Sequence, residues 1–165
     1  MNATNFKIRR QEPEDAPDLY EIYSQPKVVW GTTMLPHPSL HVWKKASDEP
    51  RGMTRLVACV DDKVVGNIAL TIAASLRRRH VGEVAMAVHD DWQGKGCGYA
   101  LLSEALNLAD NWLDLRRIEL QVYTDNEAGV RLYTRCGFEI EGTLKRFAYR
   151  DGEYVDVLAM ARFRD

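Results

Sequence analysis

Long apolar runs are missing from this sequence. No stretch of the 165-residue chain reaches the roughly 18–20 apolar residues that a membrane-spanning helix needs, so no membrane partner is expected. An excess of one charge is missing too. The formal net charge is −2, which offers no broad attraction to nucleic acid or to an anionic membrane, and no nucleic-acid partner is expected. Cysteines are few: Cys59, Cys97 and Cys136. An odd number without metal-type spacing reads as reduced thiols rather than as a disulfide framework or a zinc site. The opening stretch "MNATNFKIRR" lacks the basic-then-apolar layout of a secretory signal. The expected location is therefore the cytoplasm. Repeats, low-complexity tracts and linkers are also absent, so residues 1–165 are expected to form a single domain.

What the sequence does have is glycine in an unusual place. "HDDWQGKGCGYALL" (89–102) puts three glycines and a lysine into a few positions and runs straight into leucines and alanines. Glycine weakens regular structure, so the cluster needs a local reason, namely close approach of the backbone to something. From Gly98 the apolar residues Leu101, Leu102, Ala105, Leu108, Ala109 and Trp112 recur at helical spacing. Upstream, "HVGEVAMAVHD" (80–90) reads as a strand. The glycines thus lie between a strand and the start of a helix. There the first amides have no internal partners and the helix dipole is positive. That is a site for a phosphate or pyrophosphate.

The remaining elements follow from local pattern. "FKIRRQ" (6–11) reads as a strand and "EPEDAPDLYEIYSQ" (12–25) as a helix. Residues 26–40, with three prolines and a glycine, read as irregular, and 40–48 as a short helix. Residues 54–73 form two apolar strands around Asp61-Asp62. "RRIELQVYT" (116–124) alternates as a strand. Thr124 and Glu127 fit a capping box for a helix that should stop at Gly137. The C-terminal part is two strands joined at Asp151-Gly152. The order β-α-α-β-β-β-α-β-α-β-β specifies an α/β domain with a mixed sheet.

Three anion-binding designs compete for the glycine loop. A nucleotide P-loop needs Ser or Thr after its lysine, and Lys95 is followed by Gly96. A dinucleotide loop needs G-x-G-x-x-G near the start of a parallel βαβ unit, whereas these glycines fall at 94, 96 and 98 after several strands. The third design is Q/R-x-x-G-x-G/A, and Gln93-Gly94-Lys95-Gly96-Cys97-Gly98 fits it. The loop resembles the pyrophosphate loop of the GCN5-related N-acetyltransferases (GNAT). A second stretch, "NEAGVRLYTRCGFEIEG" (126–142), is similar to the later family motif at Asn126, Gly129, Tyr133, Gly137, Phe138 and Gly142. The segments "MLPHPSLHVW" and "RDGEYVDVLAM" resemble a bacterial subgroup of small-molecule and L-amino-acid N-acetyltransferases.

The resemblance implies transfer of acetyl from acetyl-CoA to a primary amine. It implies a mostly antiparallel mixed sheet whose fourth and fifth strands splay apart. The pantetheine arm then lies along the strand holding Met86, Ala87 and Val88, and Asn126 bonds it. The amides from Gln93 to Tyr99 (Gln93, Gly94, Lys95, Gly96, Cys97, Gly98 and Tyr99) hold the pyrophosphate. Lys95 either adds charge there or is a solvated loop lysine. Tyr133 takes the place of the family's general acid, or else packs as a helix tyrosine. Glu83 stands where phosphinothricin-type relatives carry a presumed base, or else is an outward strand glutamate. Trp30, Met34, Leu35 and His37 fall in the segment that shapes the acceptor pocket. His37 and His41 are four apart but lack a third ligand, so no metal is expected. Arg77 to Arg79 form a solvated turn or supply a partner for an acceptor carboxylate. A small-molecule amine, first an L-amino acid α-amine, is the expected acceptor. The alternatives are a protein N-terminal or lysine acetyltransferase and an acyl-CoA-binding regulator. Family members often form homodimers, so a homodimer is an expectation.

Overall fold

Alternation along the central strands divides the apolar residues between two faces. In 53–60, Leu56 and Ala58 pack with one core cluster while Val57 and Cys59 pack with another. Burial on both faces explains why this part of the sequence runs almost continuously apolar. The computed structural model describes residues 5–45 and 50–165. Its elements are β1 (Lys7–Arg10), α1 (Ala16–Tyr23), α2 (Pro26–Gly31), α3 (Leu40–Lys45), β2 (Met53–Val60), β3 (Lys63–Ile72), β4 (Val81–Val88), α4 (Cys97–Asn111), β5 (Arg117–Tyr123), α5 (Glu127–Arg135), β6 (Glu139–Arg150) and β7 (Glu153–Phe163). The seven strands form one sheet in the order β1-β2-β3-β4-β5-β7-β6. Every neighbouring pair is antiparallel except β4–β5, which is parallel.

The larger core lies between the sheet and α4. Leu101, Leu102, Ala105 and Ala109 are fully buried there against Ile68, Leu70, Ile118 and Met160. Phe138 joins this core from the end of α5. On the opposite face, Leu19 and Ile22 of α1 cover Val57, Val64 and Ala87. Asp15, buried before α1, receives a two-pronged bond from Arg9 at 2.8 and 2.7 Å and the Glu12 amide at 2.8 Å. Burial pushes its carboxyl upward, but these three donors outweigh it and hold the group below the usual carboxylate range.

Several expectations shift in detail. The stretch 12–25 splits into a 3-10 turn at Pro13–Asp15 and then α1. Residues 26–31 are helical rather than irregular. Pro26 stands at the first helical position, where its missing N–H costs nothing. The expected helix over 40–48 is seen through Lys45, and its remainder lies outside the described residues. Trp112 does not join the buried face of α4; it is 76% exposed at the helix end. The cap of α5 is Asn126 and not Thr124. The Thr124 amide still donates to Asp156 O of the neighbouring strand, at 3.2 Å, so the chain turns two residues later.

Candidate functional site

β4 is bonded along one side and open along part of the other. Against β3 it pairs from Gly82 to Val88. Against β5 it pairs only at Val81, Gly82 and Glu83, opposite Arg117, Ile118 and Glu119. From Val84 onward the two strands part, leaving backbone groups without a strand partner on that edge. Such groups need a ligand or water. A cleft of about 760 Å³ opens beside them, walled by Met86, Ala87 and Val88. The Val88 carbonyl is already taken, because the Gln93 side chain donates to it at 3.0 Å. That bond ties the glycine loop to the end of β4.

The loop places bare backbone at the start of a 15-residue helix. Gly94 and Gly96 have φ of +72° and +92°, a region that side chains rarely adopt, and Gly96 is the N-cap of α4. No side chain caps this helix end, so its first N–H groups are left for a ligand. Gly98 is needed for a different reason. A Cβ there would stand 3.1 Å from Leu132 Cδ2, where α4 and α5 cross closely. Gln93, Gly94, Gly96, Gly98 and Tyr99 all line the cleft.

Two residues of the loop turn their side chains elsewhere. The Lys95 ammonium sits over the Trp92 ring, 5.0 Å from its centroid. Cys97 is buried so closely against β3 that a Cβ on Gly66 would lie 3.0 Å from its sulfur. Burial pushes the Cys97 thiol up to about 12, which removes it as a nucleophile at neutral pH. Basic groups reach the cleft from another direction. Arg131 and Arg135, four apart on α5, both line it, and the Arg135 guanidinium lies 4.7 Å from the Tyr99 ring centroid. Sequence reasoning missed this pair, although its spacing on a helix already assigned to the site was a usable signal.

α5 brings Asn126 and Tyr133 to the same wall. Asn126 Oδ1 accepts the Gly129 N–H at 2.9 Å, which fixes the side chain and leaves its Nδ2 for another acceptor. The helix stops at Gly137, φ +89°, in the way the sequence suggests. The Phe138 amide donates to Tyr133 O at 3.0 Å and the Gly137 amide to Thr134 O at 3.1 Å. This closure packs Phe138 edge-on against the Tyr133 ring, with centroids 5.9 Å apart. Tyr133 lines the cleft with its hydroxyl held neutral. Burial first, and then the neighbouring Cys136, push it up to about 12.

The opposite wall is α2. It is held at its start by Asp90, which accepts the Lys27 amide at 3.1 Å. Beyond its end, the Tyr123 hydroxyl donates to Thr32 O at 3.3 Å. Of the four residues expected at the acceptor pocket, Trp30 lines the cleft, whereas Met34, Leu35 and His37 do not. Leu35 is 81% exposed, and His37 adopts φ +61° between two prolines, which carries the segment out into solvent. Among the described residues no group of three or more His, Cys, Asp or Glu is placed to hold a metal ion.

Glu83 occupies a different cleft. It lies at the last paired rung of β4 and β5, in a cavity of about 220 Å³ shared with Arg117, Glu119, Gln121 and Glu141. The structure therefore does not bring Glu83 and Tyr133 into one pocket; they flank the point where the strands part. Arg117 pairs with Glu119 at 2.7 Å and with Glu141, and Arg78 also pairs with Glu119 at 2.7 Å. Of the arginines at 77–79, Arg78 thus engages a carboxylate of the protein itself.

The chain and its fold have counterparts among known proteins. The model of the acetyltransferase (GNAT) family matches residues 16–138. An L-amino acid N-acetyltransferase of Escherichia coli, AaaT, is 41% identical over 157 residues, covering 95% of this chain and 97% of that protein. A spermidine N(1)-acetyltransferase of Escherichia coli is 23% identical over 99% of this chain and 88% of its own length. Among solved structures, a GNAT-family acetyltransferase of Streptococcus pneumoniae superposes with a TM-score of 0.81 at 29% identity, covering 97% of this chain and 100% of that one. The Salmonella typhimurium protein yncA, solved with its cofactor acetyl-CoA, shares the fold with a TM-score of 0.82 at 22% identity, over 98% and 95% of the two chains. The match across most of the chain, together with the shared fold, places this protein in the GNAT family as an N-acetyltransferase.

Proposed function

We propose that the chain transfers the acetyl group of acetyl-CoA to the α-amine of a small L-amino acid. The observation that carries the acceptor class is the similarity to the Escherichia coli L-amino acid N-acetyltransferase along almost the whole chain. The cofactor side fits on physical grounds. The bare loop amides and the uncapped start of α4 suit a pyrophosphate. The open edge of β4 suits an amide-bearing arm, with Asn126 Nδ2 as a donor beside it. Acetyl-CoA supplies an activated thioester, and the protein supplies binding and orientation.

In the step itself the amine nitrogen bonds to the acetyl carbon and the carbon–sulfur bond breaks. A backbone N–H near Met86 or Ala87 stabilises the carbonyl oxygen, an effect worth on the order of 3 kcal/mol. Tyr133, neutral far above physiological pH, gives its proton to the departing sulfur. Glu83 is the proposed final acceptor of the amine proton; since it lies in the smaller cleft beyond the gap, the proton must pass to it through water. A peptide-like α-amine has a pKa of about 8 against about 10.4 for a lysine side chain; a free amino acid titrates above the peptide value, so its amine still needs a base.

A CoA-release assay over free L-amino acids, their amides, spermidine, lysine peptides and N-terminal peptides tests the reading. Turnover highest with apolar L-amino acids such as methionine and phenylalanine is expected. Turnover of spermidine or peptides alone overturns the acceptor. In the same assay Glu83→Gln should lose most activity at low pH, where few amines are free; an equal loss at every pH makes Glu83 a positioning group.

A further inference from the structure

One side chain ties together two walls of the large cleft, at Trp30 and at Asp125. Arg150, the last residue of β6, reaches across 120 positions of sequence to donate to Trp30 O at 3.0 Å. The same guanidinium bonds both carboxylate oxygens of Asp125. Its plane carries aromatic rings close by, with the Trp30 centroid at 4.1 Å and the Tyr123 centroid at 4.8 Å. The side chain is only 13% exposed. Trp30 and Asp125 both line the cleft, and Asp125 immediately precedes Asn126, the cap of α5. The Arg150 bonds hold the Asp125 carboxyl below its ordinary range.

We propose that Arg150 is the positioning residue for the acceptor: it fixes the Trp30 wall against β5 and Asp125, and so sets the shape of the acceptor end of the cleft. The proposal rests on the reading that this cleft receives acetyl-CoA and a small amine. Arginine suits the task because one planar group can stack on rings and bond a carboxylate in two prongs at once. Lysine keeps the charge but can do neither in that geometry. The glycine loop is not among the partners of Arg150, so cofactor binding should be spared.

Arg150→Lys and Arg150→Met test this with L-methionine and L-phenylalanine as acceptors. Both variants should raise the acceptor KM by about tenfold or more while the acetyl-CoA Kd stays within about twofold of wild type. Lysine should not rescue. Backbone amide exchange over residues 26–32, measured without any substrate, should quicken in both variants, while exchange over 93–100 should not. This second measurement stands even when no amino acid is turned over, so it separates failure of the Arg150 assignment from failure of the acceptor assignment. Unchanged exchange over 26–32 overturns the proposal. So does an acceptor KM restored by lysine, or a loss of acetyl-CoA affinity as large as the change in KM.

Discussion

The two ends of the large cleft are built from different materials. The end proposed for the cofactor is backbone: an open strand edge, two left-handed glycines and a helix start without a side-chain cap. The end proposed for the acceptor is side chain: Trp30 and Asp125 line it, braced from behind by Tyr123 and Arg150. Backbone binding suits a ligand that never changes, because it depends on chain geometry more than on residue identity. Side-chain walls suit a ligand that differs between relatives. The relatives of this chain include proteins named for L-amino acids and for spermidine.

The contrast can be broken most forcefully at the gap between the two ends. Tyr133→Phe keeps the ring against Phe138 and removes the proton. We expect kcat to fall by roughly 10- to 1000-fold with acetyl-CoA affinity retained, read in single-turnover assays. Because the hydroxyl is pushed up to about 12, it stays protonated as pH rises, so wild-type kcat should show no alkaline fall from this group before roughly pH 11. Unchanged kcat when chemistry limits turnover makes Tyr133 a packing residue.

A smaller effect belongs to the backbone end. Gly96→Val meets no neighbour closer than 4.0 Å, but it forces a branched side chain into φ +92°. Acetyl-CoA binding by calorimetry should weaken at least tenfold, about 1.4 kcal/mol, with the acceptor KM little changed. Wild-type affinity in a folded variant removes the loop from the cofactor site. The smallest effect sharpens the same point. Lys95→Ala should change acetyl-CoA affinity less than about threefold, because its ammonium rests on Trp92 and is already in water. A tenfold loss shows that the lysine swings onto the phosphates.

The same contrast explains how much could be read from the sequence. Gly94, Gly96 and Gly98 announce themselves by spacing, as do Asn126, Tyr133, Gly137 and Phe138, because each set lies within one short stretch of chain. The seven strands and four of the five helices were readable from periodicity and turns. α2 was not, since proline at a first helical position looks the same as proline in a loop. The acceptor end was hardly readable. Met34, Leu35 and His37 have suitable chemistry but do not line the cleft, while Arg150 braces its Trp30 wall through a bond across 120 positions of sequence. Local pattern carries no information about such a pairing. Glu83 was readable as a strand acid, yet only the early end of the β4–β5 pairing shows that it faces a second cleft.

The double fastening of α2 has a thermodynamic consequence. Its first turn hangs from Asp90, beside the cofactor loop, and its far end from Tyr123 and Arg150. Tied at both ends, this wall is already set before any ligand arrives, so a ligand at either end of the cleft has little ordering left to supply. Occupancy of one end should therefore leave affinity at the other nearly unchanged, and loosening the far tie should be felt only by the ligand that rests there.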